Sequence, residues 1–258
     1  MPIAASAIQR PPEVAAPSSQ SPEANLIAKA KRLYGVRIVL DGQEWGDNLD
    51  ARLANIQATT DAVANLPANV REAIGNAHPH GPLYILSNSE GRTLSGWRPY
   101  GDFPIGFYTN SDHDPEWGTV QVSNQVVLAP GFADIVIVHE LLHAYHFRLV
   151  PPDHYGLALL GQEMQSFMGA SGWKQVASDD AVAEASQPGT AWAEFNALFQ
   201  YQGRELTYLA VDGNRYTFRP TNPLEGFAVA GSFFYSRSFS LALPDWPEYW
   251  AWFQANLG

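Results

Sequence analysis

Residues 132–150 run without proline or glycine and end against Pro151-Pro152, so this stretch reads as a strong helix with a sharp stop. Ile135, Val138 and Leu142 give it an apolar face, while His139 and His143 stand one turn apart on another face. A helix of this kind must be clamped in a core on one side and present two imidazoles to a cleft on the other. That requirement constrains the fold more than any other feature of the chain.

The segment Val138-His139-Glu140-Leu141-Leu142-His143 is an HExxH motif. Imidazoles at i and i+4 can reach one metal ion, and the intervening Glu140 is placed to draw a proton from a water activated there and pass it to a leaving amine. The chain has no cysteine, which excludes a disulfide framework, a Cys-ligated zinc and a thiol nucleophile. Any catalytic metal must therefore be held by His and carboxylate, a donor set that with an open water position suits Zn2+ best.

Two histidines leave the coordination one protein ligand short. The HExxHxxGxxH pattern fails, because His146 and Leu149 stand where the Gly and the third His would be. His146 shares the ligand face but lies further along the helix, so it reads as a residue of the cleft wall or one backing the ligands. The third ligand is then acidic. Glu163, Glu194 and Glu225 compete for it, and spacing alone does not separate them: Glu163 lies twenty residues after His143, while Glu194 and Glu225 each sit in an amphipathic helical stretch.

The 258 residues suit one large domain or two halves around a cleft. Residues 1–24 are rich in Ala, Pro and Ser and read as a disordered tail, with Pro22 among the prolines expected to break any helix. No apolar stretch follows a basic start, so the tail is no Sec signal peptide. That points to a cytoplasmic chain or one exported by a non-classical route. Residues 25–258 read as an α+β domain, with an upper half of about 25–150 and a lower half of about 151–258. Strands are expected at 34–40, 82–87, 104–108 and 118–122, with 126–128 extending the last into an edge, and helices at 48–65 and 70–74. Downstream, helices are expected at 157–168, 191–201, 226–234 and 246–256, a strand-like stretch at 208–219 and a surface loop at 177–187.

Acidic side chains number 26 against 15 basic ones, a net charge of −11, and this negative field argues against nucleic acid as a partner. No apolar run is long enough to span a bilayer.

Beyond the motif, the order of features resembles the gluzincin peptidases typified by the anthrax lethal factor catalytic domain and the clostridial Pro-Pro endopeptidases. Thr221-Asn222-Pro223-Leu224-Glu225-Gly226-Phe227-Ala228 is similar to the segment that opens that group's third-ligand helix. Pro247-Glu-Tyr-Trp-Ala-Trp-Phe-Gln is similar to its closing helix, and Phe167-Met-Gly-Ala-Ser-Gly-Trp-Lys174 resembles an F-x-x-L-S-G-W segment of bacterial relatives. Leu66-Pro67 and the strand after it resemble the group's entry into its sheet, so the likeness covers roughly residues 33–258. It implies a zincin-like α+β fold: a small mixed twisted sheet with the active-site helix in the N-terminal half, a mainly helical C-terminal half and a cleft between. It also implies Zn2+ held by His139, His143 and Glu225. Two positions depart from the pattern. Val229 replaces a common second acid, and Phe218 stands where a tyrosine commonly supplies an oxyanion donor, a role that passes to Tyr216 or, failing that, Arg219.

The expected function is a zinc-dependent endopeptidase or protease effector with Glu140 as general base and acid. Its peptide or protein substrate would lie extended along an edge strand at 118–128, contacting Asn124 or Gln125. Trp192, Phe195, Tyr201 and Tyr208 are candidates to line a pocket. The alternative is a catalytically silent member of the same fold that binds a peptide in the same groove.

Overall fold

The computed structural model describes residues 21–39, 45–75, 83–87, 106–109, 125–128, 134–150, 155–185, 192–209, 215–218, 220–236 and 247–258. In chain order these form α1 (Pro22–Tyr34), β1 (Arg37–Ile38), α2 (Leu49–Asn65), α3 (Ala68–Ile74), β2 (Tyr84–Ser87), β3 (Gly106–Thr109), β4 (Gln125–Leu128) and α4 (Asp134–Phe147). There follow α5 (Tyr155–Leu159), α6 (Gln162–Ser171), β5 (Trp173–Gln175), α7 (Asp179–Ala185), α8 (Trp192–Asn196), β6 (Phe199–Tyr201), β7 (Leu206–Leu209), β8 (Arg215–Phe218), α9 (Pro223–Tyr235) and α10 (Pro247–Asn256).

The fold is α+β. One four-stranded mixed sheet has the order β1-β2-β4-β3, with β2 parallel to both β1 and β4 and β3 antiparallel to β4. Two small antiparallel pairs, β5-β6 and β7-β8, follow the sheet in sequence. The HExxH helix α4 is the hub. It packs on α2, β3 and β4 on the sheet side and on α9 on the other. Ile137, Val138, Leu141, Leu142 and Ala144 are fully buried in these contacts.

The α4–α9 approach is close because of one glycine. A Cβ at Gly231 would lie 2.5 Å from Leu142 Cδ1 and 3.0 Å from two ring carbons of Phe253. Beyond α9, Phe167 of α6 sits against Phe227, Tyr249 and Trp252 with ring centroids 5.1, 5.5 and 5.3 Å apart. The three segments that carry the resemblance downstream of α4 thus share one aromatic core.

Several expectations need correction. Residues 22–24 are not tail: Ser21 accepts a hydrogen bond from the Ala24 N–H at 3.2 Å and Pro22 opens α1, where a missing N–H costs nothing. Residues 1–20 lie outside the described residues. The strand expected from Tyr34 starts at Arg37, because α1 runs on to a left-handed Gly35. The loop expected at 177–187 holds α7, started by Ser178, whose Oγ accepts from the Ala181 N–H, and by Asp179 and Asp180 in the first turn. The single helix expected at 157–168 breaks at Gly161, and the one expected at 191–201 gives way to β6, which pairing with β5 holds extended.

The edge strand at 118–128 is corrected as well. Its described part, Gln125–Leu128, lies inside the sheet between β2 and β3, so its backbone pairs on both sides. Residues 118–124, with Asn124, are outside the described residues. The outermost strands of the described sheet are β1 and β3.

Candidate metal centre

Helix α4 points His139 and His143 toward the first turn of α9. The start of α9 is specified locally: Asn222 Oδ1 accepts the Glu225 N–H at 3.0 Å, and Pro223 takes the first helical position. Asn222 is itself fully buried, its amide donating to Asn196 Oδ1 at 2.9 Å. This anchors the helix end and sets Glu225 one turn in, where the helix dipole favours a carboxylate.

Three ligand atoms converge there. His139 Nε2 and His143 Nε2 are 3.1 Å apart. Glu225 turns Oε2 to His139 at 3.4 Å and Oε1 to His143 at 3.5 Å. A tetrahedral ion bonded at zinc-like distances holds its ligand atoms about 3.3 Å apart. The observed separations match that spacing, and two imidazoles with one carboxylate form the donor set of a catalytic zinc site with an open position. The residues present therefore fit the ion.

The electrostatics agree. Burial alone would raise the Glu225 pKa, yet the neighbouring His143 and His139 rings hold its carboxyl well below the usual carboxylate range. The side chains of His139 and Glu225 remain 20% and 29% exposed, so the convergence point is reachable from outside, whereas His143 is held at 9%. Glu140, between the two histidines in the chain, is buried at 6% exposure.

The competing acids are placed elsewhere. Glu163, in the first turn of α6, accepts a hydrogen bond from the Tyr145 hydroxyl at 2.9 Å and lies 3.4 Å from Arg148. Glu194 is exposed on α8. Among the described residues, His139, His143 and Glu225 form the one group of His and acidic side chains close enough to share a metal ion. Tyr216 lies on β8 in register with Tyr208 of β7; its side chain, and all of Arg219, fall outside what is described.

His146 does not line a cleft. It is 4% exposed, its ring 3.9 Å from that of Phe227, and among the described residues neither of its nitrogens has a hydrogen-bond partner. Burial, with His143 and Arg148 nearby, pushes its pKa well below the usual imidazole value. Of the expected pocket aromatics, Phe195 is core and packs on Phe199, Tyr201 lines a surface hollow, and the side chains of Trp192 and Tyr208 lie outside the described set.

Sequence reasoning missed the Tyr145–Glu163–Arg148 cluster and the Asn222–Asn196 link. The first left a trace, an acid in a helix first turn with no ligand partner. The second left none, because 26 residues separate its amides.

The chain matches no protein-family model, no curated protein sequence and no solved structure.

Proposed function

We propose that this chain is a zinc-dependent endopeptidase with a zincin-like fold of the gluzincin type. The observation that supports it is the convergence of His139, His143 and Glu225 at zinc spacing, with Glu140 between the two histidines. A zinc ion bound there supplies Lewis-acid polarisation and makes a water nucleophilic at neutral pH.

The chain's own residues do the rest. Glu140 takes a proton from the attacking water as its oxygen bonds to the scissile carbonyl carbon. When the C–N bond breaks, Glu140 returns that proton to the departing amine. Tyr216 is the proposed donor to the oxyanion, which a Tyr216→Phe variant tests through kcat. The substrate adds in extended form along the sheet edge next to α4. Strand β3, outermost among the described strands and packed on that helix, is the proposed edge in place of 118–128.

No described helix is long and apolar enough to cross a membrane. A peptide library tests the reading. Wild type should cleave it, and Glu140→Gln should lose at least about 100-fold in rate while keeping its zinc. Zinc retained by a wild type that cleaves nothing would favour the silent peptide-binding alternative.

A further inference from the structure

A hollow of about 360 Å³ lies beside the first turn of α9, walled by Trp173, Phe199 and Tyr201 with Asn196, Gln200 and Pro220. Two contacts tie it to the metal-binding helix. A Cβ on Gly226, the residue after Glu225, would meet Trp173 Nε1 at 2.9 Å and Pro220 Cβ at 3.5 Å, so the wall is packed against the ligand turn itself. Asn196 accepts a hydrogen bond from Asn222, the residue that caps that turn.

The wall is rigid before anything binds. The Trp173 and Tyr201 rings lie 4.9 Å apart, and the Tyr201 hydroxyl donates to the Arg204 carbonyl at 2.6 Å while accepting from Tyr249 at 2.9 Å. None of the described lining residues is charged. A charged side chain entering the hollow would lose water without gaining a partner. An aromatic one would find ring edges and faces, with amides at hand for a hydroxyl or indole N–H.

We propose that this hollow is a specificity subsite that takes one aromatic side chain of the peptide substrate near the scissile bond. The proposal rests on the peptidase reading above, and the volume, which suits a single large side chain, sets the occupant.

The test uses the full chain, a peptide library and N-acetyl-phenylalaninamide as a direct probe, with N-acetyl-glutamic acid amide as control. Wild type should prefer Phe, Tyr or Trp at one library position by about 10-fold or more in kcat/KM over Ala and Glu, the scale of discrimination an apolar pocket gives. Gln200→Trp, which fills the hollow from an exposed strand position, should reduce that preference to about 1 with zinc content unchanged. It should also abolish binding of the phenylalanine probe seen by calorimetry. Gln200→Glu, which places a carboxylate in the hollow, should act in the same direction and serves if the Trp variant does not fold.

Cleavage without aromatic preference, or a preference that both variants retain, overturns the subsite and leaves the peptidase reading standing. Absent cleavage with a phenylalanine probe that binds wild type but not Gln200→Trp overturns the peptidase reading and leaves the hollow a binding site. Neither cleavage nor binding overturns both.

Discussion

Helix α4 receives a glutamate from a neighbouring helix on each of two sides, and the two sides differ in kind. On one, His139 and His143 meet Glu225 from α9. On the other, Tyr145 and Arg148 meet Glu163 from α6. The second cluster is complete: a phenol donates to the carboxylate, and the guanidinium stacks 3.6 Å over the phenol ring beside the same acid. The first brings together two imidazole nitrogens and a carboxylate, ligand atoms close enough to share one metal ion. A structural cluster pairs donors with acceptors, whereas a metal centre gathers acceptors. That contrast, more than the spacing of the motif, supports Glu225 over Glu163 as the proposed ligand.

The comparison breaks most readily at its ligand side. Glu225→Ala should lower zinc affinity by more than about 100-fold, since even outer partners of a metal site are worth 10–100-fold. Glu163→Ala should leave zinc affinity unchanged, both read by competition with a chelating dye. The same Glu163→Ala should cost about 1–3 kcal/mol in urea unfolding, because Arg148 and the hydroxyl of buried Tyr145 lose their acceptor.

Gly231→Val tests the helix contact that brings Glu225 to the histidines. With Leu142 fully buried and in the way, the larger side chain should destabilise by about 1–3 kcal/mol and weaken zinc binding together.

The smallest effect concerns His146, which packs on Phe227 and serves as a ligand in neither cluster. His146→Leu removes two buried nitrogens without hydrogen-bond partners among the described residues and should stabilise the fold by about 1 kcal/mol. Its folded pKa lies below the unfolded value of about 6.5, so its contribution is fully present above that pH and is lost as pH falls below it. Unfolding midpoints of wild type and His146→Leu should therefore diverge further as pH drops from 7 toward 5, the neighbouring His143, Arg148 and Glu225 being common to both.

What the sequence disclosed follows a physical division. Helix α4 and its stop near Pro151 depend on local signals, and those were readable, whereas α9, expected from 226, starts at Pro223 behind the Asn222 cap. The α+β class was readable too, because 82–87, 104–108 and 126–128 carry strand texture close to where strands occur. The choice among Glu163, Glu194 and Glu225 depends on which helices pack on α4, and no local pattern encodes that. The order of the sheet was hidden for the same reason: Gln125–Leu128 reads as a polar-flanked edge, yet β3 returns antiparallel and encloses it. Ser178-Asp179-Asp180 was a missed local signal, a helix start concealed by loop-like composition.

The central claim is that one zinc ion sits between α4 and α9. Anomalous diffraction at the zinc edge, from crystals grown with zinc, tests it most directly. The account predicts a single strong peak within about 2.0–2.2 Å of His139 Nε2, His143 Nε2 and the Glu225 carboxylate. No peak there, or a peak at Glu163 or Glu194 instead, would contradict it.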